Sequence, residues 1–244
     1  MTSAVRIAKK IAESGIASRR EAEKLIETGR VAVDGEVVKT PVFFVTDQSK
    51  ITIDGKEIGK KSKEIIIWKF HKPKGVITAK SDETNRRTVF DFFPNIAEHR
   101  LLYVGRLDYN SEGLLLFANN GDLARKLELP STGLKRTYRG RIFGNLTEEK
   151  IRQLKNGVTV DGIKYGSVDV VVNADGGRAN SWITATLSEG KNREIRKIME
   201  YVGCIVNRLI RISYGPFTLG DLKPGDVVRA SRKEIDNLLK IIQF

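Results

Sequence analysis

Apolar residues recur along this chain at two different periods, and the change between them divides it. Near the amino end Ile7, Ala8, Ile11 and Ala12 fall on one face of a helix that Gly15 can terminate. Ser18 with Glu21 three residues on forms a capping box, and the helix behind it places Ala22, Leu25 and Ile26 inside before Gly29 ends it. Alternation of period two follows in Val31-Ala32-Val33 and Ile51-Thr52-Ile53, each running into an Asp-Gly turn, Asp34-Gly35 and Asp54-Gly55. Two such units are too few for a solenoid and predict two hairpins of one small sheet. The polar run Gly59-Lys60-Lys61-Ser62-Lys63-Glu64 has no apolar anchor and reads as a linker, giving a domain over 1–59, a linker over 60–64 and a second domain over 65–244.

Strands dominate the second domain. Ile65 to Phe70 predicts one, closed by His71-Lys72-Pro73-Lys74-Gly75 and resumed at Val76-Ile77-Thr78, and Ser81 to Arg87 is a polar, basic loop. Asp122 can cap a short helix through Leu127, and Thr147 another with Glu148 and Glu149 at its positive end. Further strands are expected over Val158–Val160, Val168–Val172, Trp182–Leu187 and Ile205–Ile212, with helices over Asn192–Tyr201 and Asp236–Ile242. Many short strands with a few helices between them predict an α+β fold with a mostly antiparallel sheet.

Charge narrows the partner. Lys and Arg number 43 against 30 acidic residues, a net charge of +13, which points to a polyanion. Nucleic acid fits better than a membrane surface, because no basic amphipathic helix rich in Trp or Phe is present. Cys204 is the single cysteine, so no internal disulfide or thiolate metal cluster can form, and its neighbours Val202, Ile205 and Val206 predict a buried thiol. With only His71 and His99, no multi-histidine metal site is expected. No apolar run reaches membrane-spanning length and the first residues hold no long apolar segment, so a cytoplasmic, monomeric protein is expected.

The chemistry gathers at Gly105-Arg106-Leu107-Asp108-Tyr109-Asn110-Ser111-Glu112-Gly113-Leu114-Leu115-Leu116-Phe117. A carboxylate stands there in a polar loop between two apolar runs, with an arginine two residues upstream that could attract an anion. From spacing alone Asp108 could equally close a tight turn. The segment, with the Asn119-Asn120-Gly121-Asp122 turn after it, resembles the signature of the RsuA/RluB-type family of ribosomal RNA pseudouridine synthases. The resemblance implies the pseudouridine-synthase fold from about residue 64 to the end, with Asp108 as the catalytic residue and Arg106 beside the pocket.

Isomerising uridine breaks the bond from base nitrogen to ribose carbon 1′, turns the base and rejoins it through carbon 5. That needs no redox partner, phosphoryl donor, metal or other cofactor. A carboxylate can attack carbon 1′ or remove the carbon 2′ proton, provided a cation keeps it ionised in a desolvated site. Glu189-Gly190-Lys191-Asn192-Arg193-Glu194-Ile195-Arg196-Lys197 offers cations, with Arg193, Arg196 and Lys197 on one helix face. Spacing alone makes that face either solvated or functional. The family resemblance implies that Arg196 pairs with Asp108, leaving Lys191 and Arg193 as phosphate contacts. In Lys135-Arg136-Thr137-Tyr138-Arg139-Gly140, Tyr138 could be half-buried core, and the resemblance implies that it stacks on the target base. Leu209 is either strand core or, by the same resemblance, a pocket wall, and Lys72 is a further expected RNA contact. The run Tyr214 to Asp226 also matches and reads as structural.

In the first domain Arg19, Arg20 and Lys24 crowd one helix face. Arg20 and Lys24 sit four apart, where like charges repel by roughly 0.2–0.5 kcal/mol, so solvent or RNA phosphates must offset them. Residues 5 to 55 resemble the S4-type RNA-binding domain, which implies structured-RNA binding and no chemistry. The expectation is therefore an isomerase for ribosomal RNA, leaning to the 23S over the 16S molecule, with free rRNA or a pre-ribosomal particle as substrate. A catalytically silent RNA-binding protein would share the first domain and the charge. It would have lost at least one of Asp108, Tyr138 and Arg196.

Overall fold

The computed structural model describes residues 4–59, 64–93, 101–173 and 180–244, so residues 60–63 of the linker expected over 60–64 lie outside them. The chain divides into two compact units, Met1–Ile65 and Ile66–Phe244. In the first unit β1 (Val5–Arg6) leads into α1 (Ile7–Glu13), and α2 (Arg19–Glu27) follows. Ser18 caps α2, its hydroxyl accepting from Glu21 N at 3.1 Å while the Glu21 carboxylate accepts from Ser18 N at 2.6 Å. Strands β2 (Val31–Val33), β3 (Glu36–Val37), β4 (Phe44–Val45), β5 (Ile51–Ile53) and β6 (Lys56–Glu57) complete it. Four of them form one sheet in the order β3-β2-β5-β6, and β4 pairs with β1. Both turns carry positive φ at each central residue, 51° and 94° at Asp34-Gly35 and 50° and 77° at Asp54-Gly55, the geometry that suits the strand twist. Ile7, Ile11, Ala22, Ile26, Val31 and Ile51 close the core. Each large aliphatic side chain fully buried there contributes about 1.5–3 kcal/mol.

The second unit is built on a nine-stranded sheet. It opens with β7 (Ile67–Lys72), β8 (Leu102–Val104) and β9 (Glu112–Ala118), then α3 (Gly121–Glu128), β10 (Arg136–Phe143) and α4 (Glu148–Asn156). The hairpin of β11 (Val158–Val160) and β12 (Ile163–Tyr165) stands apart as its own two-stranded sheet. After it come β13 (Asp169–Asn173), β14 (Asn180–Leu187), α5 (Glu194–Tyr201), β15 (Ile205–Tyr214), β16 (Phe217–Thr218), β17 (Val227–Arg229) and α6 (Arg232–Ile242). The sheet runs β13-β14-β10-β15-β9-β7-β17, with β16 on β15 and β8 on β9. Every pairing is antiparallel except β15 with β9. The fold is α+β, as the periodicity predicts. Among the described residues no helix is long and apolar enough to cross a membrane.

Local expectations fail in three places, each for a local reason. Val76-Ile77-Thr78 does not resume β7; Ile77 makes a single parallel bridge to Thr88. The cap of α3 is Asn120, whose Oδ1 accepts from Asp122 N at 3.0 Å and Leu123 N at 3.1 Å, so the turn signal lies two residues before Asp122. Helix α6 starts earlier than Asp236, because Ser231 and Glu234 form another capping box.

Two cores meet under this sheet. One gathers Ile142, Leu154, Ile183, Ile195, Ile198, Met199 and Leu209, with Cys204 fully buried in it, the burial pushing its thiol pKa up. The other is aromatic, with Phe70, Phe93 and Phe117 in contact and the Phe93 and Phe117 ring centroids 4.6 Å apart. Tyr138 packs against both.

Candidate active site

Strand β9 has β7 along one edge and two partners sharing the other. β15 pairs with Glu112 and Gly113, and β8 pairs with Leu116 to Ala118. The sheet splits between them at Leu114, whose carbonyl accepts from Arg211 Nε at 2.7 Å. The loop 105–111 joins β8 to β9 beside that split. Gly113 holds the crossing: its φ is +104°, and a Cβ there would lie 2.3 Å from the Arg211 carbonyl oxygen.

The loop carrying Asp108 is anchored through its backbone. Thr78 Oγ1 donates to Leu107 O at 2.9 Å, Glu128 accepts from Gly105 N at 2.8 Å and Gly75 N donates to Tyr109 O at 2.8 Å. Lys72 supplies the centre. Its ammonium donates to Pro73 O and Asp108 O at 3.1 Å each and to Ser111 O at 2.9 Å. Lys72 has no exposed surface, which corrects the expectation that it touches RNA: three carbonyls hold it inside. Burial pushes its pKa down to about 8, against the pull of Asp108 and Glu112.

The Asp108 side chain is left to face a cleft of about 780 Å³. Tyr138, half-buried on β10, and Leu209, buried on β15, form its walls, and Arg106 stands exposed at its rim. A bulge between Thr137 and Tyr138 in the pairing with β15 turns the strand where Tyr138 leaves it.

The cation at Asp108 is not the expected one. Arg193 Nη1 stands 3.9 Å from Asp108 Oδ2, the one ion-pair contact of that carboxylate among the described residues. Arg196 lies one turn into α5, and its guanidinium donates to Val206 O at 2.6 Å and Asn110 O at 3.2 Å. Burial and then the charge of Arg193 pull its pKa down, while Asp108 opposes them. Arg193 reaches the cleft because the chain enters α5 with Arg193 in the left-handed region, φ +51°, which swings the side chain out of the helix face it shares with Arg196. Lys191, expected on phosphate, is engaged by Lys164 O and the Glu189 carboxylate. Arg19, Arg20 and Lys24 are exposed on α2.

Periodicity held a signal for the floor of the cleft that sequence reasoning missed. Arg136 is two residues before Tyr138 and Arg211 two after Leu209, so each shares a strand face with a wall residue. Both are buried and bracket the Tyr214 ring, at 4.7 and 5.1 Å. Arg136 Nη2 donates to Tyr214 Oη at 2.7 Å, and Tyr214 Oη donates to Leu127 O at 2.7 Å. Among the described residues no group of three His, Cys, Asp or Glu side chains could hold a metal ion.

A family model described as RNA pseudouridylate synthase matches residues 66–201, which span β7 to α5 and hold Asp108, Tyr138 and Arg193. The chain belongs to that family. An S4 domain model matches residues 5–51 of this synthase. A protein of Rickettsia conorii named an uncharacterized RNA pseudouridine synthase is 43% identical to it over 95% of this chain and 99% of that one. A ribosomal large subunit pseudouridine synthase B of Vibrio vulnificus is 38% identical over 98% of this chain and 76% of its own length. A crystal structure of a pseudouridylate synthase superposes with a TM-score of 0.68, covering 96% of this chain and 99% of that one at 23% identity, a likeness of fold. The synthase is thus an enzyme that isomerises uridine in RNA, with an RNA-binding module ahead of its catalytic unit.

Proposed function

We propose that the enzyme forms pseudouridine in ribosomal RNA of the large subunit, free or in an assembling particle, and that Asp108 carries the chemistry. The observation behind this is the pinned loop. Its backbone is held at Gly105, Leu107, Asp108, Tyr109, Asn110 and Ser111 while the carboxylate faces a cleft large enough for a nucleotide, with one guanidinium 3.9 Å away. Asp108 attacks carbon 1′ and displaces uracil, or removes the carbon 2′ proton to give a glycal. Uracil turns and its carbon 5 bonds to carbon 1′; on the first route the bond from Asp108 to carbon 1′ breaks, and on the second Asp108 returns its proton to carbon 2′. Tyr138 stacks on the base and its hydroxyl relays the carbon 5 proton towards solvent while base nitrogen 1 takes one up, Leu209 packs the wall beside it, and Arg106 meets the backbone at the rim. Arg193 is the counter-charge. Arg196 keeps the loop in place through Asn110 O. The uridine enters flipped out of its strand, which costs a few kcal/mol and least in unpaired segments. Arg19, Arg20 and Lys24 bind structured RNA. The relatives named for the large ribosomal subunit support the choice of target. A cytoplasmic monomer fits a substrate made in that compartment.

The test is tritium release from RNA labelled at uridine carbon 5, because the rejoined base sheds that hydrogen. Release from a 23S transcript and not from a 16S transcript is expected. Release from 16S alone would move the target, and no release from either, or from assembling particles, would overturn the reading. The two arginines separate in the same assay. Arg196→Ala, by loosening the Asp108 loop, is expected to lower kcat by about a hundredfold with RNA affinity unchanged. Arg193→Ala is expected to lower kcat and weaken RNA binding together. Equal losses of affinity in both variants would make Arg196 an RNA contact.

A further inference from the structure

Two carboxyl groups, Glu189 and Glu194, meet in the wall of the cleft, and the Lys191 ammonium is bonded to the first of them. Glu194 is 4% exposed; its Oε2 accepts from Lys191 N at 2.8 Å, and its Oε1 is buried with no donor among the described residues. The group facing Glu194 is Glu189, which is already held as an acceptor by Gly166 N at 2.5 Å and by the Lys191 ammonium. Between these two glutamates runs the turn Gly190–Arg193, closed by Glu194 N donating to Lys191 O at 3.2 Å. That turn delivers Arg193, in its left-handed conformation, to Asp108.

We propose that Glu189 and Glu194 are positioning residues that share one proton, and that this proton locks the turn aiming Arg193 at Asp108. The proposal rests on the isomerase reading of the cleft. A buried carboxyl oxygen of Glu194 that has no donor faces a second acceptor, and a proton between the two relieves that contact. With the proton in place, Glu194 bonds to Glu189 on one side and to Lys191 N on the other, so the turn is tied at both ends. When the proton leaves, the buried charge of Glu194 and the partly exposed charge of Glu189 repel across the turn and Arg193 loses its fixed approach.

Other charges near the pair do not replace the proton. On the same loop Lys191 bonds to Glu189, and Arg193 points to Asp108. From β10, Arg136 lies beside Gly190 but bonds to Ser188 O, Leu127 O, Glu128 O and Tyr214. Arg211 gives its Nε to Leu114 O, and the β12 side presents Tyr165, under the Lys191 ammonium, and the Lys164 carbonyl. The electrostatics agree in direction. Burial, then the hydrogen bond to Glu189, push Glu194 up to about 7 against the Lys191 N–H. Burial works the same way on Glu189, yet Gly166 and Lys191 hold it below the usual carboxylate range, so the proton resides on Glu194.

The sign follows. The locked form exists below neutral pH and is lost as pH rises, so kcat/KM falls on the alkaline side through the titration of the pair in free enzyme. Lys72, with its pKa near 8, is a second source of alkaline loss, and one variant separates the two. Glu194→Gln copies the protonated carboxyl and cannot ionise. In tritium-release assays of the full chain it is expected to stay active and to move the alkaline limb up by about one pH unit or more, leaving the Lys72 limb. Glu194→Ala, with neither charge nor donor, is expected to lower kcat at every pH and, like Glu194→Gln, to lack the limb of the pair. Carbon-13 NMR of the free wild-type protein reads the same proton without catalysis: one Glu carboxyl titrating near neutrality, absent in Glu194→Gln. An unchanged limb in Glu194→Gln, or no such carboxyl, overturns the shared proton. A carboxyl that titrates as expected in a protein that releases no tritium from any RNA would instead overturn the isomerase reading.

Discussion

Asp108→Asn is expected to abolish isomerisation, by roughly 10⁴-fold or more in kcat, while RNA affinity stays close to that of the wild type. The amide has the same shape as the carboxylate but cannot attack carbon 1′ or take a proton from carbon 2′ at neutral pH. The loop should keep its form, because the contacts that hold it reach its backbone. Lys72 and Ser111 N bind the Asp108 carbonyl, and Thr78, Glu128 and Gly75 bind its neighbours. Arg193, freed from its 3.9 Å contact, remains available to phosphate. Tritium release and a gel-shift titration on one labelled RNA measure the two quantities together. Near-wild-type release would remove Asp108 from the mechanism. A parallel loss of binding would show that the side chain holds RNA and does not transform it.

The second large effect is on stability. Gly113→Ala is expected to cost about 4 kcal/mol or more, at the far end of single substitutions. A methyl group would stand 2.3 Å from Arg211 O and 2.6 Å from Arg211 N, both backbone atoms of the adjacent strand, so no side chain can yield. The φ of +104° adds strain of its own. Relief requires β9 and β15 to part at the parallel junction, which would also release the Arg211 bond to Leu114 O and open the cleft. Gly105→Ala makes the control: its φ is +65° and a Cβ there meets nothing within 4 Å, so only the left-handed strain of about 1–2 kcal/mol remains. Urea midpoints of the two variants check this, and equal losses would show that the close approach at Gly113 has little energetic weight.

Much of the first unit could be read directly from the residues. The Ser18-Glu21 box and the two Asp-Gly turns specify their geometry within three or four positions, and the helices and hairpins form where these signals stand. In the second unit the strands expected over Trp182–Leu187 and Ile205–Ile212 likewise fall on β14 and β15. The Gly-Arg-Leu-Asp segment marked the loop that faces the cleft, and resemblance to a known family assigned it a chemistry that spacing alone left open.

Side-chain destinations were another matter. Lys72 looked like any lysine in a basic loop, yet carbonyls 36 and 39 positions away draw it inside. Arg193 and Arg196 are equivalent on a helical wheel, and a left-handed residue at the mouth of α5 sends one to Asp108 while two carbonyls engage the other. Arg136, Arg211 and Tyr214 meet only because β10, β15 and the end of α3 converge beneath the cleft. The amino-acid sequence by itself determined most of the elements and turns, the basic character and the position of the acidic loop, because each depends on neighbours a few residues apart. Tertiary structure alone decided which cation serves Asp108, which lysine is buried and where the sheet splits. Those outcomes depend on hydrogen-bond partners and close approaches between segments far apart in the chain, and no local pattern encodes them.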